Sequence, residues 1–405
     1  MKGLFQHIHG DRPLWIVIFL LSMSSFLAVY SASSHIAFVH GSGNTFNMMM
    51  KHGGHVILGL VIMWMVHRLP YRYFSAISLV ALPLVAILLL VTLMQGNQIG
   101  GANASRWIVI PFFNISLQTS ALSTLVLMVY LARFLSKNDI SKMSFKETLL
   151  PVFLPIAVIC ALVLPANFST AGIIFLMAML LLFIGGYPMK YLAGILGAGL
   201  LALAFFILLV KAFPNIDNRV DTWGKRIEAF VNGDPNSNYQ VDKAKMAIAS
   251  GKIVGQGPGK SVQKNFLPQS NSDFIYAVIT EEYGYAGALA MLFFYFALFM
   301  RIMIVITRTS NPFGRLLTLG VGMGIILQAL INMGVAVNLL PVTGQTLPLV
   351  SAGGSSIWIT SLSLGIIQSV ARTTQIEKGE IEVNPAETED TPTVEPTESE
   401  SYEPA

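Results

Sequence analysis

The chain has 405 residues, 54% of them hydrophobic and only 11% charged. Soluble domains carry roughly a quarter charged residues, so a soluble globular protein is excluded and an integral membrane protein is required. The formal net charge of +4 is uneven: residues 373–405 hold ten carboxylates and one Lys, while the rest of the chain holds 24 Lys and Arg against 11 Asp and Glu.

Apolar stretches long enough for a helix to cross a bilayer occur about ten times. They lie near 14–33, 54–68, 73–94, 118–135, 149–165, 170–187, 191–210, 274–300, 316–337 and 351–371. The prediction is an all-α polytopic membrane protein with about ten transmembrane helices. Residues 1–13 form a cytoplasmic N-terminus, 14–372 the ten-span membrane domain and 373–405 a disordered acidic cytoplasmic tail. The first stretch is read as an uncleaved helix rather than a secretory signal, because nine more follow it. The tail, rich in Pro and Glu, has little to bury and nothing to offset the entropy of ordering. Cys160, the single cysteine, lies in an apolar run, so neither a disulfide nor a cysteine zinc site is available.

With the N-terminus in the cytoplasm, fourteen Lys and Arg fall in or beside inner loops, among them Arg12, Arg68, Arg72, Arg133, Lys137, Arg301, Arg315 and Arg372. The short outer loops then keep Lys51 and Arg106. One large extracytoplasmic loop, 211–272 between spans seven and eight, carries nine Lys or Arg, but long loops are translocated largely regardless of charge. Within it Val220, Trp223, Ile227, Phe230 and Val231 have helical spacing and suggest an amphipathic helix at the membrane surface, with a cap over the bundle as the alternative.

The loop ends by delivering the chain to Asp273 in KNFLPQSNSDFIYAVITEE, 264–282. A carboxylate where a span begins is expensive to desolvate and needs a partner or a task. Glu281 and Glu282 follow eight and nine residues later, roughly 12–14 Å along one helix. They form either the wall of a polar cavity beside Asp273 or a structural ion pair with an outer-loop Lys or Arg. GQGPGKS, 255–261, is P-loop-like but has Val254 where the first glycine belongs; it is a flexible turn that could meet a phosphate through its N–H groups. His52 and His55 could share a helix face, yet no third metal ligand is in view. In NMGVAVNLLPVTGQTLPLVSAGGSS, 332–356, Pro341, Gly344, Pro348, Gly353 and Gly354 would repeatedly break a helix. Broken backbone at membrane depth requires protein or water around it, so Asn338–Val350 is predicted to be a re-entrant outer loop lining the same cavity as Asp273.

LLPVTGQTLPLVSAGGSS (339–356) and GQGPGKSVQKNFLPQSNSDFIYAVITEEYG (255–284), with weaker matches at GGANASRWI (100–108) and RVDTWGKRIEAF (219–230), resemble the SEDS family of shape, elongation, division and sporulation proteins. SVQK before FLP is closer to the FtsW division branch than to the RodA elongation branch. The resemblance covers roughly residues 10–372. It implies a multi-pass protein of the bacterial cytoplasmic membrane, at the division septum, with both termini inside. It further implies an inverting peptidoglycan glycosyltransferase that polymerises lipid II outside that membrane for septal wall synthesis. Asp273 matches the family's essential carboxylate and would be the general base for a sugar hydroxyl. The expected partners are lipid II, the nascent glycan strand, a class B penicillin-binding transpeptidase and other divisome membrane proteins, with no nucleic acid. Candidate substrate-binding or cavity residues are Arg106, Arg219, Arg226, Lys245, Lys260, Lys264, Glu281, Glu282, Asn338, Thr343, Ser351 and Ser355. A divalent cation, Mg or Mn, is a candidate cofactor for the pyrophosphate, although the sequence shows no metal site. A lipid II flippase and a non-catalytic divisome scaffold are the alternatives.

The chain departs from the family pattern in three places. Gln118-Thr119-Ser120-Ala121 with Thr124 stands where Gln-Pro-Ser-Glu and a lysine are common, so an acid and a base have vanished together. Asn167 stands where the family has an aspartate. The stretch before Asp273 has Gln, Ser, Asn and Ser in place of Glu, Ala, His and Thr.

Overall fold

The computed structural model describes residues 9–40, 45–95, 98–99, 102–103, 107–110, 115–140, 143–212, 224, 230, 239–267 and 269–380. Eleven helices account for most of them: α1 Arg12–His40, α2 Thr45–Val66, α3 Arg72–Gln95, α4 Thr119–Lys137, α5 Phe145–Val163, α6 Phe168–Ile184, α7 Met189–Ala212, α8 Tyr239–Gly251, α9 Ile275–Arg308, α10 Pro312–Ala336 and α11 Gly354–Glu377. Eight of these are long and apolar enough to cross a membrane, and α6 and the apolar part of α7 (Met189–Phe205) are shorter apolar helices. These ten follow the ten predicted stretches in order, and the chain is a polytopic, mainly helical membrane protein.

Two short antiparallel ladders depart from the all-α expectation: β1 Gln98–Ile99 with β2 Ala102–Asn103, and β3 Trp107–Ile110 with β4 Ile115–Gln118. The predicted amphipathic helix at 219–231 and the acidic tail beyond residue 380 lie outside the described residues. α8, which the sequence did not single out, belongs to the large loop and packs on α9 through Val241, Ala244, Ala247 and Gly251.

Two buried clusters organise the bundle. One joins α1, α2, α9, α10 and α11; the other joins α3, α4, α5 and α6, and α4 meets α10 between them. α11 is the most enclosed spanning helix, although it is rich in Ser and Thr. Hydrocarbon offers helices no hydrophobic drive to associate, so close approach at small residues holds them instead. A Cβ on Gly59 of α2 would meet the Ser361 hydroxyl at 2.7 Å, and one on Gly365 would meet Val66 at 2.9 Å. Some hydroxyls of α11 are satisfied on their own helix, as Ser363 donates to the Ile359 carbonyl at 2.8 Å and Thr374 to Val370 at 2.9 Å, and others tie it to its neighbours, as Ser369 donates to the Leu69 carbonyl.

α9 is not the uninterrupted span predicted at 274–300. It breaks at Gly284, whose φ of 67° and ψ of −164° are non-helical. The break has a tertiary cause. The N–H groups of Gln256 and Gly257 donate to the carbonyls of Glu281 and Glu282 at 3.0 and 2.9 Å, and Tyr285 N–H donates to the Lys252 carbonyl at 2.9 Å. Backbones this close leave no room for side chains: a Cβ on Gly255 would sit 2.2 Å from the Glu282 oxygen, and one on Gly284 2.3 Å from that of Ile253. Residues 275–282 before the break are buried, whereas exposed apolar side chains begin with Tyr285, Leu289, Leu292 and Phe293. The lipid-facing part of α9 thus runs from Tyr285 to Arg308, about 36 Å at 1.5 Å per residue.

Candidate active site

Asp273 occupies the last turn before α9 and is half-buried. Its turn is held by Asn332 of α10 and by the irregular segment 338–353. The Asn332 side-chain amide on α10 donates to the Asp273 carbonyl at 2.8 Å and to the Gln345 carbonyl at 2.7 Å. The Ser351 hydroxyl donates to the Ser272 carbonyl at 2.6 Å and accepts from Leu347 N–H at 2.7 Å, while Ala352 N–H donates to the Asn271 carbonyl at 2.8 Å. The two segments singled out in the sequence are therefore in direct contact.

Residues 338–353 are non-helical and partly buried, and many of their main-chain groups find partners within the protein. Gln328 donates to the Thr346 carbonyl at 3.0 Å, and the Tyr295 hydroxyl donates to that of Pro348. Ser351 thus positions Asp273's neighbour. Ser355, buried at the start of α11, accepts from Gln118 N–H at 3.1 Å. Asn338 adopts a left-handed φ of 60° just after α10, and its N–H closes that helix end onto the Val335 carbonyl. Thr343 is buried with its hydroxyl unpaired among the described residues.

Inside the bundle, α4, α6, α10 and α11 enclose a cavity of about 80 Å³. The irregular segment reaches it through Gln345, whose amide donates to the Thr170 hydroxyl at 2.8 Å. Asp273 is not part of its lining; it connects to Gln345 through Asn332, so the single cavity predicted for both resolves into a lining and an adjacent carboxylate. The lining includes Gln118, Ser120, Ala121, Thr124, Gln328 and Gln345, and among the described residues no charged side chain. Ala121 and Thr124, where the resemblance would place an acid and a base, both face it. Asn167 caps α6, its Oδ1 accepting from Thr170 N–H at 3.4 Å, so its amide replaces a carboxylate as a helix cap.

Glu282 corresponds to the ion-pair alternative, and Glu281 is held beside it by N–H and hydroxyl donors of the same loop. Both are fully buried. Glu281 accepts from Val262 N–H at 3.0 Å, from Gln263 N–H at 3.3 Å, and from the Ser250 and Ser261 hydroxyls. Glu282 accepts from the Ser31 hydroxyl and faces the Lys264 ammonium at 4.0 Å. Lys264 also donates to Ser31 at 3.1 Å and to the Gly259 carbonyl at 2.7 Å. It is buried and committed to this cluster, so it is placed to hold the loop rather than to receive a pyrophosphate. In GQGPGKS the N–H groups of Gly255, Gln256, Gly257 and Lys260 all bond to carbonyls within the protein, which removes the donors a phosphate would need. The Lys260 side chain is exposed, and Lys245 is exposed beside Asp242 at 3.8 Å. Arg106, Arg219 and Arg226 lie outside the described residues.

His52 bonds the Ser25 hydroxyl at 3.0 Å, and His55 packs against Trp358. Among the described residues no three His, Cys, Asp or Glu side chains are grouped to hold a metal ion.

The family model described as cell cycle protein, covering FtsW, RodA and SpoVE, matches residues 11–376. The chain is 34% identical over 368 residues to the probable peptidoglycan glycosyltransferase FtsW of Geobacter metallireducens, covering 89% of this chain and 94% of that protein. It is 32% identical over 376 residues to its Escherichia coli counterpart, covering 91% and 88%. Among solved structures, one from a peptidoglycan synthase complex that coordinates polymerization and crosslinking is similar with a TM-score of 0.69 at 24% identity, covering 90% of this chain and 98% of that one. The rod shape determining protein RodA of Thermus thermophilus is similar with a TM-score of 0.64 at 22% identity, covering 90% and 97%. The chain belongs to the FtsW, RodA and SpoVE family of cell cycle proteins.

Proposed function

We propose that the protein is a peptidoglycan glycosyltransferase of the bacterial cytoplasmic membrane, with Asp273 as its general base. The observation that carries this assignment is the fixed position of Asp273. A half-buried carboxylate sits where the buried outer segment enters α9; Asn332 of α10 donates to its own carbonyl, and Ser351 of the irregular segment donates to that of the preceding Ser272. A sugar hydroxyl is a poor nucleophile, and a positioned carboxylate takes its proton as attack proceeds. The 4-hydroxyl oxygen of one lipid-linked disaccharide bonds to the anomeric carbon of the growing strand. The bond from that carbon to the lipid pyrophosphate breaks, the pyrophosphate leaves with the electron pair, and Asp273 holds the proton. A single inverting displacement needs one base. Pyrophosphate is already a good leaving group and needs charge neutralisation more than protonation. Lys260 and Lys245, and Arg106, Arg219 and Arg226 of the outer loops, are the candidates for that role, alone or with a Mg or Mn ion.

The reading places the 211–272 loop outside the membrane, both termini in the cytoplasm and the protein at the septum. Lipid II is the substrate, and a crosslinking transpeptidase and other division proteins are its partners. The test is lipid II polymerisation by the purified protein with its transpeptidase partner, against Asp273→Ala and Asp273→Asn. Loss of glycan product from a folded variant is expected; equal glycan output from wild type and variants would remove Asp273 from the reaction. Vesicles carrying fluorescent lipid II on one leaflet separate the carrier alternative, because a polymerase has no need to move its substrate across.

A further inference from the structure

At the end of the bundle opposite Asp273, where Asp11 pairs with Arg301, the ends of three helices surround a second cavity, of about 380 Å³. Arg72 and Ser75 come from the first turn of α3, Ser136 and Lys137 from the last turn of α4, and Asn311, Pro312 and Phe313 from the start of α10. Arg133, one turn before Lys137, donates its Nε to the Ser75 hydroxyl at 3.1 Å and so joins the same wall. Three cationic side chains from two helices thus converge beside two hydroxyls. Glu377 lies 3.2 Å from Arg72. Like charges gathered around one cavity repel, and an anion between them relieves that repulsion.

The shape beside the cavity indicates which anion. Leu79 and Leu90 lie seven and eighteen positions after Arg72, which returns each to the same face of α3. Both are exposed, as are Val80 and Ile87 close to that face. A charged head held by Arg72 and Lys137 would therefore continue into an apolar track along α3. We propose that this cavity binds the phosphate headgroup of an anionic membrane phospholipid, with an acyl chain lying along the Leu79–Leu90 face. Guanidinium and ammonium groups with hydroxyls suit a phosphodiester, and basic pockets between membrane helices are suited to anionic headgroups. The site is separate from the proposed reaction centre and does not depend on it.

The test is native mass spectrometry of the detergent-solubilised full chain, titrated with phosphatidylglycerol or with phosphatidylcholine of the same acyl chains. Retention of phosphatidylglycerol should exceed that of phosphatidylcholine. It should fall about fivefold for each cation removed, in Arg72→Gln and in Lys137→Gln. Lys190→Gln, a charge removed from the start of α7, should leave retention unchanged. Both cavity residues are exposed, so these variants keep the fold, and circular dichroism checks that they do. Equal retention of the two lipids, or equal loss in all three variants, overturns the site. Soluble glycerol phosphate supplies the other source of the same chemistry: if it protects the wild type against heat as well as the lipid does, and Leu79→Ser leaves lipid retention unchanged, the acyl track is overturned.

Discussion

The Asn332 side chain donates one amide hydrogen to the main-chain carbonyl of Asp273 at 2.8 Å and another to that of Gln345 at 2.7 Å. One residue of α10 thereby joins the proposed base to the segment that lines the bundle cavity. Replacing it with Leu keeps the approximate volume and leaves two carbonyls without that donor, each costing about 1–3 kcal/mol if left unpaired. Asn332→Leu should retain a folded, monodisperse protein and lose at least about tenfold in lipid II polymerisation, because the base is no longer held. Polymerisation at wild-type rates by Asn332→Leu would show that the link does not position Asp273.

The buried pair of Lys264 and Glu282 gives a stability prediction. Lys264→Met strands a carboxylate and Glu282→Gln strands an ammonium, and removing one partner of a buried pair typically costs about 3–5 kcal/mol. The double variant leaves no charge to strand and should be less destabilised than the sum of the single changes. Thermal unfolding of all four proteins in detergent reads the coupling; additive losses would mean that the 4.0 Å approach carries no interaction.

At Gly284 a φ of 67° with ψ of −164° is a region essentially confined to glycine and costs a side chain about 1–3 kcal/mol, and a Cβ would also overlap the Ile253 carbonyl at 2.3 Å. Gly284→Ala should therefore abolish the monodisperse peak in size-exclusion chromatography. Gly172→Ala is the control, since a Cβ there meets nothing within 4 Å on helix α6. It should be neutral or mildly stabilising, in line with the usual helical preference for Ala of about 0.5–1 kcal/mol.

The apolar runs made the ten helices legible, because the bilayer requires length and hydropathy that few other structures need. The proximity of the turn that carries Asp273 to the 338–353 segment was legible too, from the cost of a carboxylate and of broken backbone at membrane depth, but the shared cavity expected for them was not found. The break in α9 was not, because its apolar run is continuous and the cause is a loop arriving from residues 251–257. Glu281 and Glu282 were ambiguous for the same reason: their partners lie in the loop at Ser250 and 261–264 and, for Glu282, at Ser31 on α1. α8 stayed hidden because its buried stripe is Val241, Ala244, Ala247 and Gly251, small residues with little apolar signal.

The last prediction concerns the cavity that Ala121 and Thr124 face. They are three positions apart on α4, so their side chains are neighbours on one helix face. The family pattern places an acid and a base there, and both are missing here. Ala121→Glu alone introduces a carboxylate into a space whose lining offers no cation among the described residues. An unpaired charge inside a membrane bundle costs about 2.5–3.5 kcal/mol on insertion scales. Thr124→Lys alone has the mirror defect and also removes the hydrogen bond from Thr124 to the Ser120 carbonyl at 2.7 Å. Together the two changes create a short-range pair, so the double variant should unfold at a higher temperature than either single one. A double variant no more stable than the worse single variant would mean that the cavity cannot hold the pair. The neutral lining of this chain would then reflect a reshaped cavity rather than the joint loss of two matched charges.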